Sequence, residues 1–426
     1  MKFIADLHVH SRFSVATSKD MDLPHIHHWA QLKGIQVLAT GDCTHPKWFQ
    51  EIQEQLVPTG NGLFALSPDY DFSKRNGVPQ SCRSEVRFVL SAEISTIYKK
   101  NGKVRKVHHL LLLPDVDTAS RLNAKLDRIG NIRSDGRPIL GLDSRDLVEL
   151  ALEVSPEILF IPAHAWTPHF SVLGAKSGFN SVEDCYGDLT GHIFAIETGL
   201  SSDPPMNWRI SGLDGFALVS NSDAHSPSKL GRNANLFDCE VSFAGIARAL
   251  HTRRGLSGTL DMYPQEGKYH YDGHRPCGRS MSPEETIQSR YLCPDCNAKV
   301  TVGVMHRVAE LADRPAGYRP SGSPVCKHIV PVIEVLSEVM EKGVNTQPVQ
   351  RLYMDLLNRL GPELHILLET SLPLLREHGS ELIAEAILRV RDGRLHISPG
   401  YDGVFGKIRI FDAEDRAKYS KQLSLF

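Results

Sequence analysis

Histidine and carboxylate residues recur in this sequence at spacings that suit metal binding. His8 and His10 form a His-x-His motif, and Asp223 and His225 repeat the same spacing. Side chains at positions i and i+2 of an extended strand share one face, so each pair can reach one cluster. Imidazole and carboxylate ligands together suit zinc, manganese or iron. A carboxylate such as Glu93 or Asp223 can bridge two cations about 3.5–4 Å apart, the arrangement used for in-line attack on phosphorus.

The segments that must position these residues alternate between short apolar runs and amphipathic stretches, which is typical of βα units and a largely parallel sheet. The candidate strands are residues 2–8, 35–41, 86–92, 107–113, 158–163, 193–197 and 216–221. Side chains able to bind a metal lie at or near the ends of these strands: Asp6, His8, His10, Asp42, His45, Glu93, His108, His109, His164, His169, Glu197, Asp223 and His225. In a β/α barrel the carboxyl ends of the strands meet at one mouth. The pattern therefore predicts a polynuclear metal site at the mouth of such a barrel.

The length of the chain predicts more than one module. Its 426 residues exceed one compact core, whereas a barrel takes roughly 250. The expected modules are a barrel over 1–262, a zinc-binding module over 263–316, a mainly helical domain with a short β element over 317–411, and a flexible tail over 412–426.

Composition indicates an ordinary globular protein. The chain is 41% hydrophobic and 23% charged, and it lacks the run of ~18 apolar residues that a membrane span needs. Its first residues do not have the pattern of a signal peptide. The eight cysteines lie singly along the chain except for one cluster after residue 276, which is the spacing of a metal site. We therefore expect a cytoplasmic protein with no membrane partner.

Residues 270–306 combine histidine and cysteine in a pattern typical of a zinc ribbon. Cys293 and Cys296 form Cys-x-x-Cys, and the pair His274 and Cys277 lies some sixteen residues upstream. His306 is an alternative fourth ligand. A redox pair is the competing interpretation, but no redox fold surrounds the motif. We predict one structural zinc, whose binding supplies much of the folding free energy of this small module.

Positive charge is concentrated between residues 71 and 137, although the whole chain has a net charge of −2. This stretch has fourteen Lys and Arg against seven Asp and Glu. Five of the basic residues lie close together: Lys99, Lys100, Lys103, Arg105 and Lys106. A basic hairpin loop of this kind suits a phosphate backbone, although a solvated turn has the same composition. The loop is therefore a candidate DNA-binding element.

The motifs at the strand ends resemble those of the polymerase and histidinol phosphatase (PHP) family. The matching segments are Asp-Leu-His-Val-His at 6–10, Gly-Asp-x-x-His at 41–45, Ser-Ala-Glu at 91–93, His109, Pro-Ala-His at 162–164 and Ser-Asn-Ser-Asp-Ala-His at 220–225. The resemblance covers residues 1–260 and implies a distorted seven-strand barrel in which two or three divalent metals (Zn, Mn or Mg) hydrolyse phosphoesters. The ligands that it implies are His8, His10, Glu93, His109, His164, Asp223 and His225, of which His10, Glu93 and Asp223 are the expected catalytic residues.

Two departures from the PHP pattern concern a third metal. Cys43 stands where many members have a histidine, and Ser14 and Val15 stand where a further histidine is usual. The ligands left for a third metal are Asp42 and His45.

Beyond the barrel, the chain resembles the endonuclease Q family over essentially its whole length. The segments that carry this resemblance are 197–204, 220–225 and 302–308, together with the His-x-x-Cys and Cys-x-x-Cys pairs. This family cleaves DNA on the 5′ side of deaminated bases (hypoxanthine, uracil, xanthine) and of abasic sites, and it leaves 3′-hydroxyl and 5′-phosphate ends. The resemblance therefore implies damaged DNA as the partner and an association with the nucleoid.

The segment Gln-Leu-Ser-Leu-Phe at 422–426 resembles the motif that binds the bacterial β sliding clamp. The residues implied in binding are Gln422, Leu423, Leu425 and Phe426. The glutamine would hydrogen-bond at the edge of a pocket, and the last two apolar side chains would fill a cleft. A tail that folds back on its own domain is the alternative. The resemblance implies a bacterial source and recruitment to replicated DNA.

Two other functions are compatible with parts of the pattern. A small-molecule phosphatase of the histidinol phosphate type shares the barrel but gains nothing from a zinc ribbon or a C-terminal domain. A non-catalytic DNA-binding scaffold would have lost metal ligands, and the nearly complete ligand set argues against it. A metal-dependent DNA repair endonuclease is the favoured function.

Overall fold

The computed structural model describes residues 1–72 and 77–416 and shows a mixed α/β molecule built on one large sheet. The strands are β1 (Lys2–Asp6), β2 (Val37–Ala39), β3 (Leu56–Pro58), β4 (Phe64–Leu66), β5 (Arg87–Lys100), β6 (Lys103–Leu113), β7 (Ile139–Leu140), β8 (Leu159–Pro162), β9 (Ala195–Glu197), β10 (Ala217–Val219), β11 (Ala234–Asp238), β12 (Leu256–Asp261), β13 (Asp272–His274), β14 (Arg279–Met281), β15 (Val325–His328), β16 (His396–Ser398) and β17 (Lys407–Arg409). The helices are α1 (Leu23–Lys33), α2 (Pro46–Gln55), α3 (Val116–Leu126), α4 (Ser144–Val154), α5 (Val182–Tyr186), α6 (Pro204–Asn207), α7 (Phe243–Thr252), α8 (Pro283–Gln288), α9 (Val304–Leu311), α10 (Val332–Met340), α11 (Gln347–Leu360), α12 (Glu363–Leu368), α13 (Leu372–His378) and α14 (Glu381–Asp392).

The large sheet mixes parallel and antiparallel strands. Its main path runs β15-β12-β11-β1-β2-β5-β4-β3, while β6 and β7 also bond to β5 and β8 bonds to β6. β1, β2 and β5 are parallel neighbours, whereas β1–β11, β5–β6 and β6–β8 are antiparallel. The prediction of a largely parallel sheet is therefore wrong.

The hairpin β5–β6 is one cause of this difference. Asn101 and Gly102 at its tip have φ angles of 53° and 73°, and two consecutive residues with positive φ form the kind of turn that joins antiparallel strands. The pairing continues from Leu90–Leu113 to Lys100–Lys103. The basic segment is therefore a long hairpin and not a βα unit.

Backbone hydrogen bonds link the seven strands that the sequence predicted. β9 pairs in parallel with β10. The Ala165 N–H, just after β8, donates to the Glu197 carbonyl oxygen at 2.9 Å, and the Asp223 N–H, after β10, donates to the His8 carbonyl oxygen at 2.9 Å. Strands β1, β2, β5, β6, β8, β9 and β10 thus follow one another through bonded neighbours. Their order brings His8, His10, Glu93, His164 and Asp223 close together.

Helices α10–α14 share a hydrophobic core with the sheet. Buried residues of these helices, such as Leu336 and Ile387, belong to the same cluster of side chains as Phe88 of β5. Lys33 of α1 forms a buried ion pair with Glu363 of α12 at 2.6 Å. Strand β15, in a segment predicted to be helical, extends the large sheet by pairing in parallel with β12. The C-terminal helices therefore pack directly on the sheet.

A second, much smaller cluster of buried residues lies between β13 and α9. It consists of Met281, Cys293 and Val300, with Cys277 packed against it. The short β element expected within residues 317–411 is the antiparallel pair β16–β17. A core of this size provides little hydrophobic stabilisation.

Two further expectations concern the sliding-clamp segment and membrane crossing. The sliding-clamp segment 422–426 lies outside the described residues. Within residues 1–72 and 77–416, no helix combines the length and the apolar character that a membrane crossing requires.

Candidate metal centre

A buried carboxylate, Glu93 of β5, lies between the histidines that the sequence singled out. Its Oε1 atom is 2.7 Å from His108 Nδ1 and 3.0 Å from His164 Nε2. Its Oε2 atom is 3.3 Å from His10 Nε2 and 3.7 Å from His8 Nε2. Each oxygen thus faces its own pair of imidazoles, which is the position of a carboxylate that bridges two cations.

The ligand atoms form two groups of metal-binding size. One group is His8, His10 and Asp223, and the other is Glu93, His108 and His164. Within each group the ligand atoms lie within 4.8 Å of one another. Because Glu93 is also in contact with the first group, the two groups form one continuous centre.

The first group has the unsatisfied atoms that an ion would bind. His8 Nε2, His10 Nε2 and Asp223 Oδ1 are buried and make no hydrogen bond of regular geometry, although His10 Nε2 lies 3.0 Å from Asp223 Oδ1. Buried polar atoms are rarely left unpaired, and three of them facing one point require an explanation. Nitrogen and oxygen donors without a thiolate are the ligand set of zinc, manganese and magnesium sites with open positions. The residues present therefore fit the divalent metals that the motifs imply.

Two further carboxylates hold the other ring nitrogens of the His-x-His pair. Glu197 oxygens lie 3.0 and 3.1 Å from His8 Nδ1, and Asp42 Oδ1 lies 3.0 Å from His10 Nδ1. A carboxylate on Nδ1 sets the tautomer and leaves the lone pair of Nε2 for a metal. The sequence identifies Glu197 as a strand-end carboxylate outside the predicted ligand set. In the structure it orients the ring of His8.

The charge of the carboxylates follows from their neighbours. Burial alone would raise the pKa of Glu93, but the imidazoles of His108 and His8 hold that pKa well below its usual value. Burial also opposes the ionisation of Asp223, yet the contact with His10 and the nearby His8 lower its pKa. Both carboxylates are therefore ionised at neutral pH, as cation binding requires.

Three residues of the centre have left-handed backbone conformations. The φ angles are 47° at Asp42, 29° at His164 and 47° at Asp223. Non-glycine residues seldom adopt positive φ, and those that do are concentrated at functional sites where the surrounding structure holds them. Each of the three follows a strand and turns its side chain toward the centre or toward one of its histidines.

The structure places His108, and not the predicted His109, in the centre. In the β5–β6 register Ser95 lies opposite His108 and Ile94 lies opposite His109. Glu93 and Ser95 share one face of β5, so His108 shares that face and His109 has the opposite one.

Both ring nitrogens of His109 have other partners. Its Nε2 atom is 3.1 Å from Thr96 Oγ1, and its Nδ1 atom is 3.0 Å from the Tyr186 hydroxyl. Burial holds the pKa of His109 well below its usual value. His109 is therefore a neutral core histidine, which corrects its prediction as a ligand. The residue that faces Glu93 is the preceding one, His108.

Asp42, a candidate for a third metal, is saturated with hydrogen bonds instead. Besides His10, it accepts the Ser11 N–H at 2.6 Å, the Ser11 hydroxyl at 2.7 Å and the Ser14 hydroxyl at 2.9 Å, all three on Oδ2. Its position is that of an orienting group, which corrects its prediction as a metal ligand.

The other two predicted ligands, His45 and His225, differ in their distance from the centre. His45 caps helix α2, and its Nε2–H donates to the Arg133 carbonyl oxygen at 3.1 Å, so the structure does not bring it to either group. His225 lies beside the first group, with its ring 4.6 Å from that of His10. Its Nδ1–H donates to the Asp223 carbonyl oxygen at 2.9 Å, which leaves Nε2 as its ligand atom.

Sequence motifs missed Arg137, a cation at the centre itself. Its Nη1 atom donates to Glu93 Oε2 at 3.2 Å, and its side chain is 26% exposed. Burial would lower the pKa of Arg137, but Glu93 and Asp223 raise it. Arg137 lies in a loop 44 residues from Glu93, and the only sequence signal was its place in the basic stretch.

The four predicted zinc ligands converge away from this centre. The ligand atoms of His274, Cys277, Cys293 and Cys296 lie within 4.8 Å of one another. Burial would raise the pKa of Cys293, but the Asp295 and Cys296 N–H groups lower it, which favours a thiolate. The alternative ligand His306 is 2.7 Å from Asp272 Oδ2 and 3.2 Å from the Tyr291 hydroxyl. The structure therefore brings His274, and not His306, to the three cysteines.

Two solved structures resemble the chain over its whole length. The crystal structure of the lesion-specific endonuclease PfuEndoQ from Pyrococcus furiosus is 31% identical, with a TM-score of 0.83 and coverage of 98% of this chain and 99% of that one. The chain belongs to the endonuclease Q family. A crystal structure of Endonuclease Q with a 27-mer duplex carrying an abasic lesion at the active site is also 31% identical, with a TM-score of 0.82 and 98% of each chain covered.

Sequence relatives of the chain occur in archaea and bacteria. The protein YqxK of Bacillus subtilis is 28% identical in an alignment of 427 positions, which covers 96% of this chain and 99% of that protein. MJ0043 of Methanocaldococcus jannaschii is 31% identical over 238 residues, 54% of this chain, and the chain spans 30% of its length. A family model described as the MJ0043 C-terminal domain matches residues 331–394, which hold α10–α14. The predicted family is thus confirmed, and the bacterial source stays a prediction.

Adjacent substitutions at positions 108 and 109 should separate ligand from core. His108→Asn removes a ligand of the second group, so the manganese bound after dialysis should fall by about one ion per chain. His109→Asn should retain manganese but lower the free energy of unfolding by roughly 1–3 kcal/mol, because it disturbs two buried hydrogen bonds. Elemental analysis and urea unfolding measure the two effects. A His109 variant that loses manganese while the His108 variant keeps it would contradict the assignment.

Proposed function

We propose that the chain is a metal-dependent endonuclease that hydrolyses the DNA phosphodiester 5′ to deaminated bases (hypoxanthine, uracil, xanthine) or abasic sites, leaving 3′-hydroxyl and 5′-phosphate ends. The observation that carries this proposal is the position of Glu93 between two groups of nitrogen and oxygen donors. Divalent cations (Zn, Mn or Mg) bound there would supply Lewis acidity for attack on phosphorus. Membership of the endonuclease Q family, with one solved member bound to an abasic duplex, supports damaged DNA as the substrate.

The residues around such a centre have different roles. Glu197 and Asp42 orient the His8 and His10 rings. The side chain of Asp223 is 25% exposed, against 1% for Glu93. The more exposed Asp223 therefore faces the substrate, while the buried Glu93 contacts the histidines of both ligand groups.

We further propose the architecture around this centre. The seven bonded strands support a distorted barrel of the PHP type over residues 1–262. A thiolate and imidazole set supports one structural zinc on His274, Cys277, Cys293 and Cys296, within a module over residues 263–316. Because the buried cluster of this module is so small, the zinc supplies much of its folding free energy. Residues 317–411 are the proposed helical domain, and residues 412–426 are the proposed tail, whose clamp-binding role rests on the resemblance of residues 422–426 alone.

The basic hairpin has two faces with different surroundings. Lys99 and Lys106 share the face of Glu93 and His108, because they lie an even number of residues away on the same strands. Lys106 Nζ is 5.1 Å from the centre of the Phe170 ring, and that ring is 4.8 Å from His108. This face therefore continues from the metal centre toward the hairpin tip and is the one proposed to contact DNA.

The opposite face of the hairpin is tied to the protein. Lys100 donates to the Cys185 carbonyl oxygen at 2.9 Å, and Arg105 donates to the Gly178 carbonyl oxygen. The Arg105 guanidinium also lies 4.1 Å from the centre of the Phe179 ring. Lys103 is exposed near the tip on this same face. Lys100 and Arg105 therefore have partners within the protein, which leaves fewer of the five basic residues to contact DNA.

Cleavage of lesion duplexes should depend on Asp223. Wild-type protein with Mg²⁺ or Mn²⁺ should nick labelled duplexes that carry one deoxyinosine, deoxyuridine or abasic site, on the 5′ side of the lesion. Asp223→Asn keeps the shape and tolerates the left-handed backbone, but it removes the ligand charge, so cleavage should fall by about 100-fold or more. Duplex binding, measured by fluorescence anisotropy, should change little.

Asp20→Asn provides a matched control for this experiment. Asp20 is an exposed residue close to the centre. Its N–H donates to the Ser18 hydroxyl, and the Ser18 N–H donates to the carbonyl oxygen of His225. This variant should cleave at the wild-type rate. Release of phosphate from histidinol phosphate without any nicking of lesion DNA would show the small-molecule phosphatase instead, and near wild-type nicking by Asp223→Asn would show that the centre is misassigned.

The two faces of the hairpin should differ in their effect on DNA binding. Lys106→Glu should weaken binding by a similar factor on damaged and undamaged duplex and lower the log–log salt slope by about 0.9. Lys103→Glu, the matched reversal on the opposite face, should leave the slope unchanged. Anisotropy titrations over a range of salt concentrations measure both. A larger loss of slope for Lys103→Glu would place DNA on the other face.

A further inference from the structure

The loop between α3 and β7 passes over the position left for a third cation. A Cβ atom at Gly136 would lie 2.3 Å from Asp42 Oδ2 and 2.4 Å from Ser14 Oγ. The Gly136 N–H donates to the Phe13 carbonyl oxygen at 3.0 Å. The loop backbone is therefore in direct contact with Asp42, and only glycine permits this approach.

The loop is anchored on both sides of Gly136. The Pro138 carbonyl oxygen accepts the Ser95 N–H at 2.9 Å, and Ile139 then pairs with Ser95 in β7. The Asp135 carboxylate accepts the Arg137 N–H at 3.0 Å. Arg137 is thus held between an anchored glycine and a bonded strand.

The direction of the Arg137 side chain follows from this anchoring. Its Nη1 atom reaches Glu93 Oε2, the oxygen that also faces His10 and His8. With 26% of its side chain exposed, the guanidinium borders the open side of the centre. Guanidinium groups present five N–H donors in a planar fork, so one contact with Glu93 leaves donors for a second anion.

We propose that Arg137 takes the place of a third cation and donates to a non-bridging oxygen of the scissile phosphate. This inference rests on the proposed function. Asp42, the carboxylate available for a third ion, has its Oδ2 atom covered by the Gly136 loop and bonded to Ser11 and Ser14. The fixed charge of Arg137 lies beside both groups of ligands, where negative charge grows on the phosphate during attack.

The position of Arg137 suits substrate contact better than the neutralisation of Glu93 alone. Four imidazoles already surround the Glu93 carboxylate, at distances of 2.7 to 3.7 Å. A counter-ion that serves Glu93 alone would be expected to be buried with it, but Arg137 borders solvent. Arginine matches a phosphate with two parallel N–H bonds.

The test compares Arg137→Gln with Arg133→Gln in the full chain. Arg133 lies in the same loop, with its side chain 60% exposed and paired with Asp127, so it controls for loss of loop charge. Each variant is combined with Asp223→Asn to prevent cleavage. Binding is then measured to an abasic duplex with a normal phosphate 5′ to the lesion and to duplexes with either methylphosphonate diastereomer at that position.

A direct contact predicts a loss that depends on the phosphate oxygen. Arg137→Gln should weaken binding to the normal duplex by about 10-fold to 100-fold. The loss should disappear with at least one methylphosphonate diastereomer, because the contacted oxygen is then absent. In the cleavage-competent background, manganese content should stay at two ions per chain while single-turnover cleavage falls by about 100-fold. Arg137→Lys should restore part of this rate, and Arg133→Gln should match wild type throughout.

Other results would overturn the inference. Equal losses on normal and methylphosphonate duplexes, a loss of manganese from Arg137→Gln, or a third ion at the Glu93 centre of the wild-type protein would each exclude this role. If the wild-type protein nicks lesion DNA and Arg137→Gln behaves like Arg133→Gln, the role of Arg137 fails alone. If the wild-type protein nicks no lesion duplex, the proposed function fails with it.

Discussion

The buried negative charge of Glu93 is the constraint on which the rest of the centre depends. An ionised carboxylate removed from water is strongly unfavourable unless cations or hydrogen-bond donors surround it. Here the segment after β1 contributes His8 and His10, β6 contributes His108, and the segment after β8 contributes His164. The sheet order places Glu93 among them, because β5 lies between β2, the neighbour of β1, and β6, the neighbour of β8. The strand order thus surrounds this one buried charge with four imidazoles.

The surroundings of the centre are organised outward from this charge. Glu197 and Asp42 hold the rings of His8 and His10, and Asp42 is held in turn by the loop that Gly136 allows to approach. Strained backbone at three strand ends is part of the same arrangement, since it aims side chains that a relaxed strand would not. Such a preorganised centre suits chemistry in which positioning and electrostatic stabilisation provide most of the rate.

Much of this arrangement could be predicted from sequence, because strand periodicity and ligand spacing are local properties. The seven strands and the clustering of His274, Cys277, Cys293 and Cys296 are of this kind. The choice between His108 and His109 depends on the register of the β5–β6 hairpin, and a shift of one residue exchanges the faces. Asp42 and Arg137 depend on tertiary contacts of distant loops, which no local pattern records.

If the Glu93 carboxylate holds two divalent cations, one at each oxygen, both ions should be visible by diffraction. Anomalous diffraction from crystals loaded with manganese, measured on both sides of the manganese absorption edge, tests it most directly. Two peaks are expected about 3.5–4 Å apart, one on each side of the Glu93 carboxylate, and none bound to Asp42. A single peak, or an additional peak between Asp42 and His45, would contradict it.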